Sequence, residues 1–272
     1  MSAIPLQSGI IYGPVKSRRL GWSLELNISP TGYKFGSFNC VYCDCGPTMV
    51  HGSNMSDTLR DFPSPDDFAR ALGRALRKHK DRQIDNITFS GNGEPTLHPQ
   101  FEELVDIAGA LRQQYVPKAK LGILSNSSTA CLEKVRQALG KLDFRIMKLD
   151  VGNPKMFQVI NRPCKGMNYD TIVNSLKTLE NVTLQTMFIN GKASNVGKQE
   201  VSDWIERVGE IKPVKVQIYS LRRPLAAAVS SLREVSAAKL ADIAAQTEEA
   251  AGVTVEAVVS RITYDKKVRP AS

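Results

Sequence analysis

Three of the chain's five cysteines fall within six positions, in the stretch YKFGSFNCVYCDCG at residues 33–46. Cys40 and Cys43 have the C-x2-C spacing that lets two thiolates reach one metal ion or iron–sulfur cluster, and Cys45 adds a third sulfur close by. A second C-x2-C pair, which a structural zinc site would want, is missing, so a zinc reading must draw on Cys40, Cys43, Cys45 and His51. Gly36 stands four residues ahead of Cys40 and offers no ligand.

A second candidate stretch is SGNGEPTLHP at residues 90–99. Asn-Gly is a strong hairpin signal, but the segment that follows has a helical period, which argues against a hairpin. With Gly91 and Gly93 lowering the steric bulk around Asn92, backbone can approach a ligand closely, and Glu94 can present a carboxylate to an ammonium group. His98 either braces the next helix or acts as a base. Cys164, in NRPCKG, is an iron ligand, a radical relay or a plain loop cysteine. Arg18 and Arg19 either hold a phosphate or carboxylate bidentately or brace the N-terminal segment. Cys131 begins a helix and reads as structural.

The elements that must position these residues alternate in type. SLELNIS at 23–29 reads as a strand, followed by the long cysteine loop. SPDDFARALGRALRK then opens a helix with Ser64 as N-cap and Pro65 at its first position, and Phe68, Ala71, Leu72, Ala75 and Leu76 form its apolar stripe. The same alternation repeats through DNITFS and FEELVDIAGALRQQY, AKLGILSNS and LEKVRQALGKL, FRIMKLDVG and YDTIVNSLKTLE, VTLQTMFIN and EVSDWIERVGEI, and VKVQIYS and AAKLADIAAQTEEAAG, with VTVEAVV as a last strand. Six strand-then-helix pairs predict an α/β protein with a parallel sheet, open or curled into a barrel. Ligands of such sheets bind at the carboxyl ends of the strands, where the polar and glycine-rich segments above are found.

Composition sets the frame. The chain has 272 residues, long enough for a sizeable core, and shows no linker that would divide it, so a single domain over 1–272 is expected, with a core at about 20–221 and a C-terminal helix and strand in 222–272. No apolar run is long enough to span a bilayer and no signal-peptide core is evident; the expectation is a cytoplasmic protein with no membrane partner and no structural disulfide. The net charge of +9 is spread along the chain, which leaves a solvated basic surface and an RNA partner both open.

Taken in order, GPVKSRRLGWSLELNISP, FNCVYCDCG, ITFSGNGEPTLHP, LSNSS, KLDVGN, INRP and VQIYS resemble the radical S-adenosylmethionine superfamily, and more narrowly its largely uncharacterised iron–sulfur oxidoreductase branch related to the wybutosine-synthesis enzymes. The resemblance runs from Gly13 to about Ser220. It implies a partial (βα)6 TIM-like barrel, a [4Fe–4S] cluster held by C-x3-C-x2-C, S-adenosylmethionine on the open iron, and a flavodoxin- or ferredoxin-type electron donor. Reductive cleavage then yields a 5′-deoxyadenosyl radical that acts on a substrate; the cofactor does the hard chemistry and the protein binds and orients. The substrate is unidentified, with RNA or tRNA one class.

Carried onto this chain, the resemblance makes Cys40 and Cys43 the second and third cluster cysteines and puts Tyr42 near adenine. Gly91, Asn92, Gly93 and Glu94 would bind the methionine amino group. Ser125, Asn126 and Asp150 would stand near the ribose and carboxylate, and Ile218 would pack on adenine. The departure is at position 36, where the family's first cluster cysteine is replaced by Gly36. A substitute ligand would come from Cys45, Cys164, a carboxylate or an added thiol. Three functions follow: a radical enzyme with unusual ligation, a non-catalytic relative that keeps its ligand pocket, and a zinc-stabilised binding protein.

Overall fold

The computed structural model describes residues 5–17, 20–51, 59–221 and 231–258. Arg18 and Arg19 lie outside the described residues. The chain enters through β1 (Ile11–Ser17), antiparallel to β2 (Gly21–Asn27). Two short strands, β3 (Phe35–Gly36) and β4 (Val50–His51), pair with each other within the cysteine loop. Then follow α1 (Pro65–His79), β5 (Asn86–Ser90), α2 (Phe101–Tyr115), β6 (Lys120–Ser125), α3 (Glu133–Gly140), β7 (Phe144–Lys148), α4 (Pro154–Ile160), α5 (Tyr169–Lys177) and β8 (Val182–Phe188). The last elements are β9 (Asn190–Gly191), α6 (Lys198–Ile211), β10 (Lys215–Ser220), β11 (Leu232–Arg233), α7 (Ala237–Ala251) and β12 (Val255–Val258).

The main sheet runs β1-β2-β5-β6-β7-β8-β10-β12 and is parallel from β2 onward. Among the described residues β1 and β12 do not pair, so the sheet is a partial barrel with open edges. Besides the two-residue strands β3, β4, β9 and β11, two elements differ from the sequence expectation. β1 is an antiparallel edge strand, a position that tolerates Pro14. α4 is a helix in a segment that reads as loop, its start set by Asn153, whose side chain accepts from Met156 N, and by Pro154 in the first turn.

Period-2 alternation divides the strands into two faces. Phe89 stacks on Phe68 of α1 and meets Phe101 of α2 edge-on, and Phe188 meets Trp204 of α6, so these residues and their same-face neighbours form the helix-side core. The inward face carries rows of polar side chains. Ser23 bonds Thr88, Ser90 donates to Glu25, and Lys148, Tyr219, Gln185 and Gln217 form a hydrogen-bonded row. Helices cover the outside of this interior.

Candidate active site

The GNGEP loop follows β5. Gly91 has φ +117°, and a Cβ there would lie 2.3 Å from Asn27 Oδ1. Asn92 is buried; its side chain accepts from Gln7 N and donates to the carbonyls of Gln7 and Pro30, which ties the N-terminal segment to the sheet. Glu94 is also buried: Oε1 accepts from Thr96 N (3.1 Å), Thr96 Oγ1 (2.6 Å) and Ser125 Oγ (2.8 Å), and Oε2 from Asn126 N (2.5 Å). Burial pushes its carboxyl pKa up, and those donors offset part of the rise. Glu94 is therefore first a brace that holds the ends of β5 and β6 together.

The cysteine loop is pinned on both sides. Glu94 N donates to Phe35 O, and Asn126 Nδ2 reaches Ser37 Oγ at 2.9 Å. On the far side Cys164 N donates to Ser37 O (2.8 Å) and Val41 N to Ile160 O (2.9 Å), and Phe38 pairs with Pro163. Within the loop Lys34, itself buried, brings Nζ to 2.9 Å from Cys43 Sγ and 3.0 Å from Gly46 O. A hydrogen bond from Cys45, and after it the Lys34 charge, lowers the Cys43 pKa; Cys40 is pushed up to about 11 by burial and the nearby Asp150.

Asp150, just past β7, joins the loop to the barrel. Its Oδ2 accepts from Tyr42 OH and from Asn161 Nδ2 at 2.8 Å; its Oδ1 accepts from Met187 N at 2.9 Å and lies 3.2 Å from Lys148 Nζ. The Lys148 ammonium stands over both the Tyr42 and Tyr219 rings, 5.1 and 5.2 Å from their centres. Burial opposes its charge, but Asp150 and Tyr219 outweigh that and raise its pKa.

The structure thus brings Glu94, Ser125 and Asn126 into one hydrogen-bonded group and Cys40, Tyr42 and Asp150 into another, with Asn161 donating to both Cys40 Sγ (3.4 Å) and Asp150. Ile218 needs a correction. It alternates with Gln217 and Tyr219 on β10 and is buried in the helix-side core, so Tyr219 is the neighbouring side chain that β10 turns inward. Cys164 is buried beside Ser37, while Cys131 is exposed rather than structural. Sequence reading missed Lys34, Lys148, Asn161 and Tyr219; a lysine two places before position 36 and one two places before Asp150 were the available signals.

The donor set does not fit a cluster held by three cysteines. Position 36 ends at Cα, and among the described residues no group of three His, Cys, Asp or Glu side chains is placed to hold a metal. The zinc quartet is likewise not assembled: His51 is exposed, with Nε2 3.1 Å from Ser37 O.

Comparison with known proteins identifies the class. The radical SAM superfamily profile matches residues 32–192, and the chain belongs to that superfamily. It is 36% identical over 167 residues to a UPF0026 protein of Methanocaldococcus jannaschii, covering 61% of this chain and 48% of that one. It is 32% identical over 221 residues to a Brachyspira hyodysenteriae protein named GTPase Obg, covering 80% of this chain and 31% of that one. The chain therefore spans about a third to a half of the length of these relatives. It contains no G-x4-G-K-[ST] phosphate loop. In fold it is similar to Streptococcus suis SuiB bound to S-adenosylmethionine (TM-score 0.61, 16% identity, 87% of this chain and 51% of that one). It is also similar to TYW1 with a lysine-pyruvate adduct (TM-score 0.58, 14% identity, 84% and 73%).

Proposed function

We propose that the protein binds S-adenosylmethionine or a related nucleoside at the carboxyl ends of its strands, and that Gly36 impairs the iron–sulfur chemistry of its superfamily. The observation that carries this is a contrast on one face: the Glu94–Asn126 and Tyr42–Asp150 contacts are in place, while the backbone of position 36 lies beside them with no ligand. Calorimetry of the iron-free protein with S-adenosylmethionine tests it. Saturable binding without iron supports the reading; no heat at any concentration reached sinks it.

A second reading is favoured by Cys45, two residues after Cys43 in the same loop and half-buried like it, which offers a third sulfur there. Here Cys45 completes the ligand set, and the protein is a working radical enzyme with a flavodoxin- or ferredoxin-type donor and an unidentified substrate, RNA included. Iron and acid-labile sulfide after anaerobic reconstitution, with electron paramagnetic resonance with and without S-adenosylmethionine, separates the two. A four-iron signal that shifts on adding S-adenosylmethionine establishes the second reading and removes the first. RNA binding that weakens steeply with salt would support an RNA substrate.

A further inference from the structure

The face of the partial barrel opposite the cysteine loop holds a cavity of about 860 Å³. It is bounded by the segments that lead into the strands, 80–86 before β5 and 115–120 before β6, and it reaches inward to Thr183 and Gln217. A volume of this size is in the range of small-molecule sites.

Its rim is cationic. Lys80, Arg82, Lys118, Lys120 and Lys215 line this one cavity; Lys215 is paired with Glu256, and among the described residues no carboxylate lies within ion-pair distance of the other four. The carboxylate of Asp85, also in the lining, is taken by Trp22 N and Gln83 Nε2, both at 2.8 Å. Like charges gathered around a concavity repel one another and concentrate anions there.

The floor offers a flat surface. Phe144 lines the cavity, and its ring lies over Gly122, where an added Cβ would be 2.4 Å from ring carbons. Gly122 is thus the seat that lets the ring lie against the sheet. Beside it Thr183 supplies a hydroxyl, while the Gln217 amide is taken by Gln185 and Glu256.

We propose that this cavity is a second ligand site, on the opposite face from the cysteine loop, for a nucleoside phosphate: phosphate at the lysine and arginine rim, base on Phe144. The binding is non-covalent, and it stands whether or not S-adenosylmethionine occupies the other face.

The test is calorimetry of the full chain with uridine diphosphate and with pyrophosphate, at low and high salt, followed by hydrogen–deuterium exchange. Uridine diphosphate is expected to bind at about 20 mM KCl, to bind about tenfold more tightly than pyrophosphate, and to weaken at about 300 mM. The exposed double variant Lys118→Glu/Lys120→Glu, checked for an unchanged melting temperature, should weaken it at least about tenfold. Protection should fall on 80–86 and 115–120. No binding at low salt, binding indifferent to the double variant, or protection confined to the cysteine loop overturns the proposal. So does binding of a short oligouridylate without any of uridine diphosphate, which would assign the rim to RNA.

Discussion

Lys34 Nζ lies 2.9 Å from Cys43 Sγ, a buried ammonium on a half-buried thiol. With the Cys45 hydrogen bond it favours the Cys43 thiolate, whereas Cys40, three residues earlier, is held protonated by burial and Asp150. Thiolates are the reactive form. Near neutral pH, iodoacetamide should therefore alkylate Cys43 at least about tenfold faster than Cys40, and Lys34→Met should narrow the gap. Peptide mapping by mass spectrometry reads both rates; equal rates in the wild type would contradict the geometry.

Position 36 is spacious enough for the side chain it lacks. A Cβ on Gly36 would meet Phe38 O at 3.5 Å and Thr48 Cγ2 at 3.7 Å, ordinary contacts, and the backbone is not in the left-handed region. Gly36→Cys should fold with a stability within about 1 kcal/mol of the parent. After anaerobic reconstitution it should hold more iron and sulfide than the parent. If the variant is folded and holds no more iron than the parent, the missing thiolate is not what limits cluster binding.

The fold was legible because its signals are local. The Ser64–Pro65 start of α1 appears as read, with Ser64 Oγ accepting from Asp67 N, and Phe68, Leu72 and Leu76 are buried as the stripe required. The site was legible only as a set of positions. That Glu94 is consumed by Ser125 and Asn126, which lie 31 and 32 residues on, depends on β5 and β6 being neighbours; no local pattern reports it. The inward direction of Tyr219 rather than Ile218 depends on register, where a shift of one residue exchanges the faces. α4 was missed for a different reason: its seven residues are too few to show a period, although Asn153–Pro154 was a readable cap.

Two glycines of contrasting surroundings should respond in opposite directions. A Cβ on Gly93 would lie 1.8 Å from Phe35 O, so Gly93→Ala must push β3 away from the GNGEP loop and should cost about 2 kcal/mol or more. Gly109, inside α2, has no atom within 4 Å of the added Cβ, and Gly109→Ala should stabilise by about 0.5–1 kcal/mol through helix propensity. Urea denaturation of both variants checks the pair. A neutral Gly93→Ala would mean that the loop and β3 are not packed as seen.

His98 gives the fold a defined acid sensitivity. Its Nδ1 accepts from Gln100 N and its Nε2 lies 3.0 Å from Pro63 O, an arrangement that uses the neutral ring with the proton on Nε2. Burial lowers its pKa to about 4, against an ordinary value of 6.5. A base whose pKa is depressed by folding contributes stability that is present above 6.5 and is lost as pH falls toward about 4, since the unfolded chain binds the proton first. At about 1.4 kcal/mol per pH unit the loss is at most about 3.5 kcal/mol. Glu94, with its pKa raised by burial, works with the opposite sign, adding stability as pH falls, so the whole-protein slope mixes the two. His98→Leu isolates the effect: it should be less stable than the parent near neutral pH, having lost two hydrogen bonds, and the difference should shrink steadily as pH falls from about 6.5 to about 4. A difference that stays constant over that range would show that His98 carries its proton in the folded state.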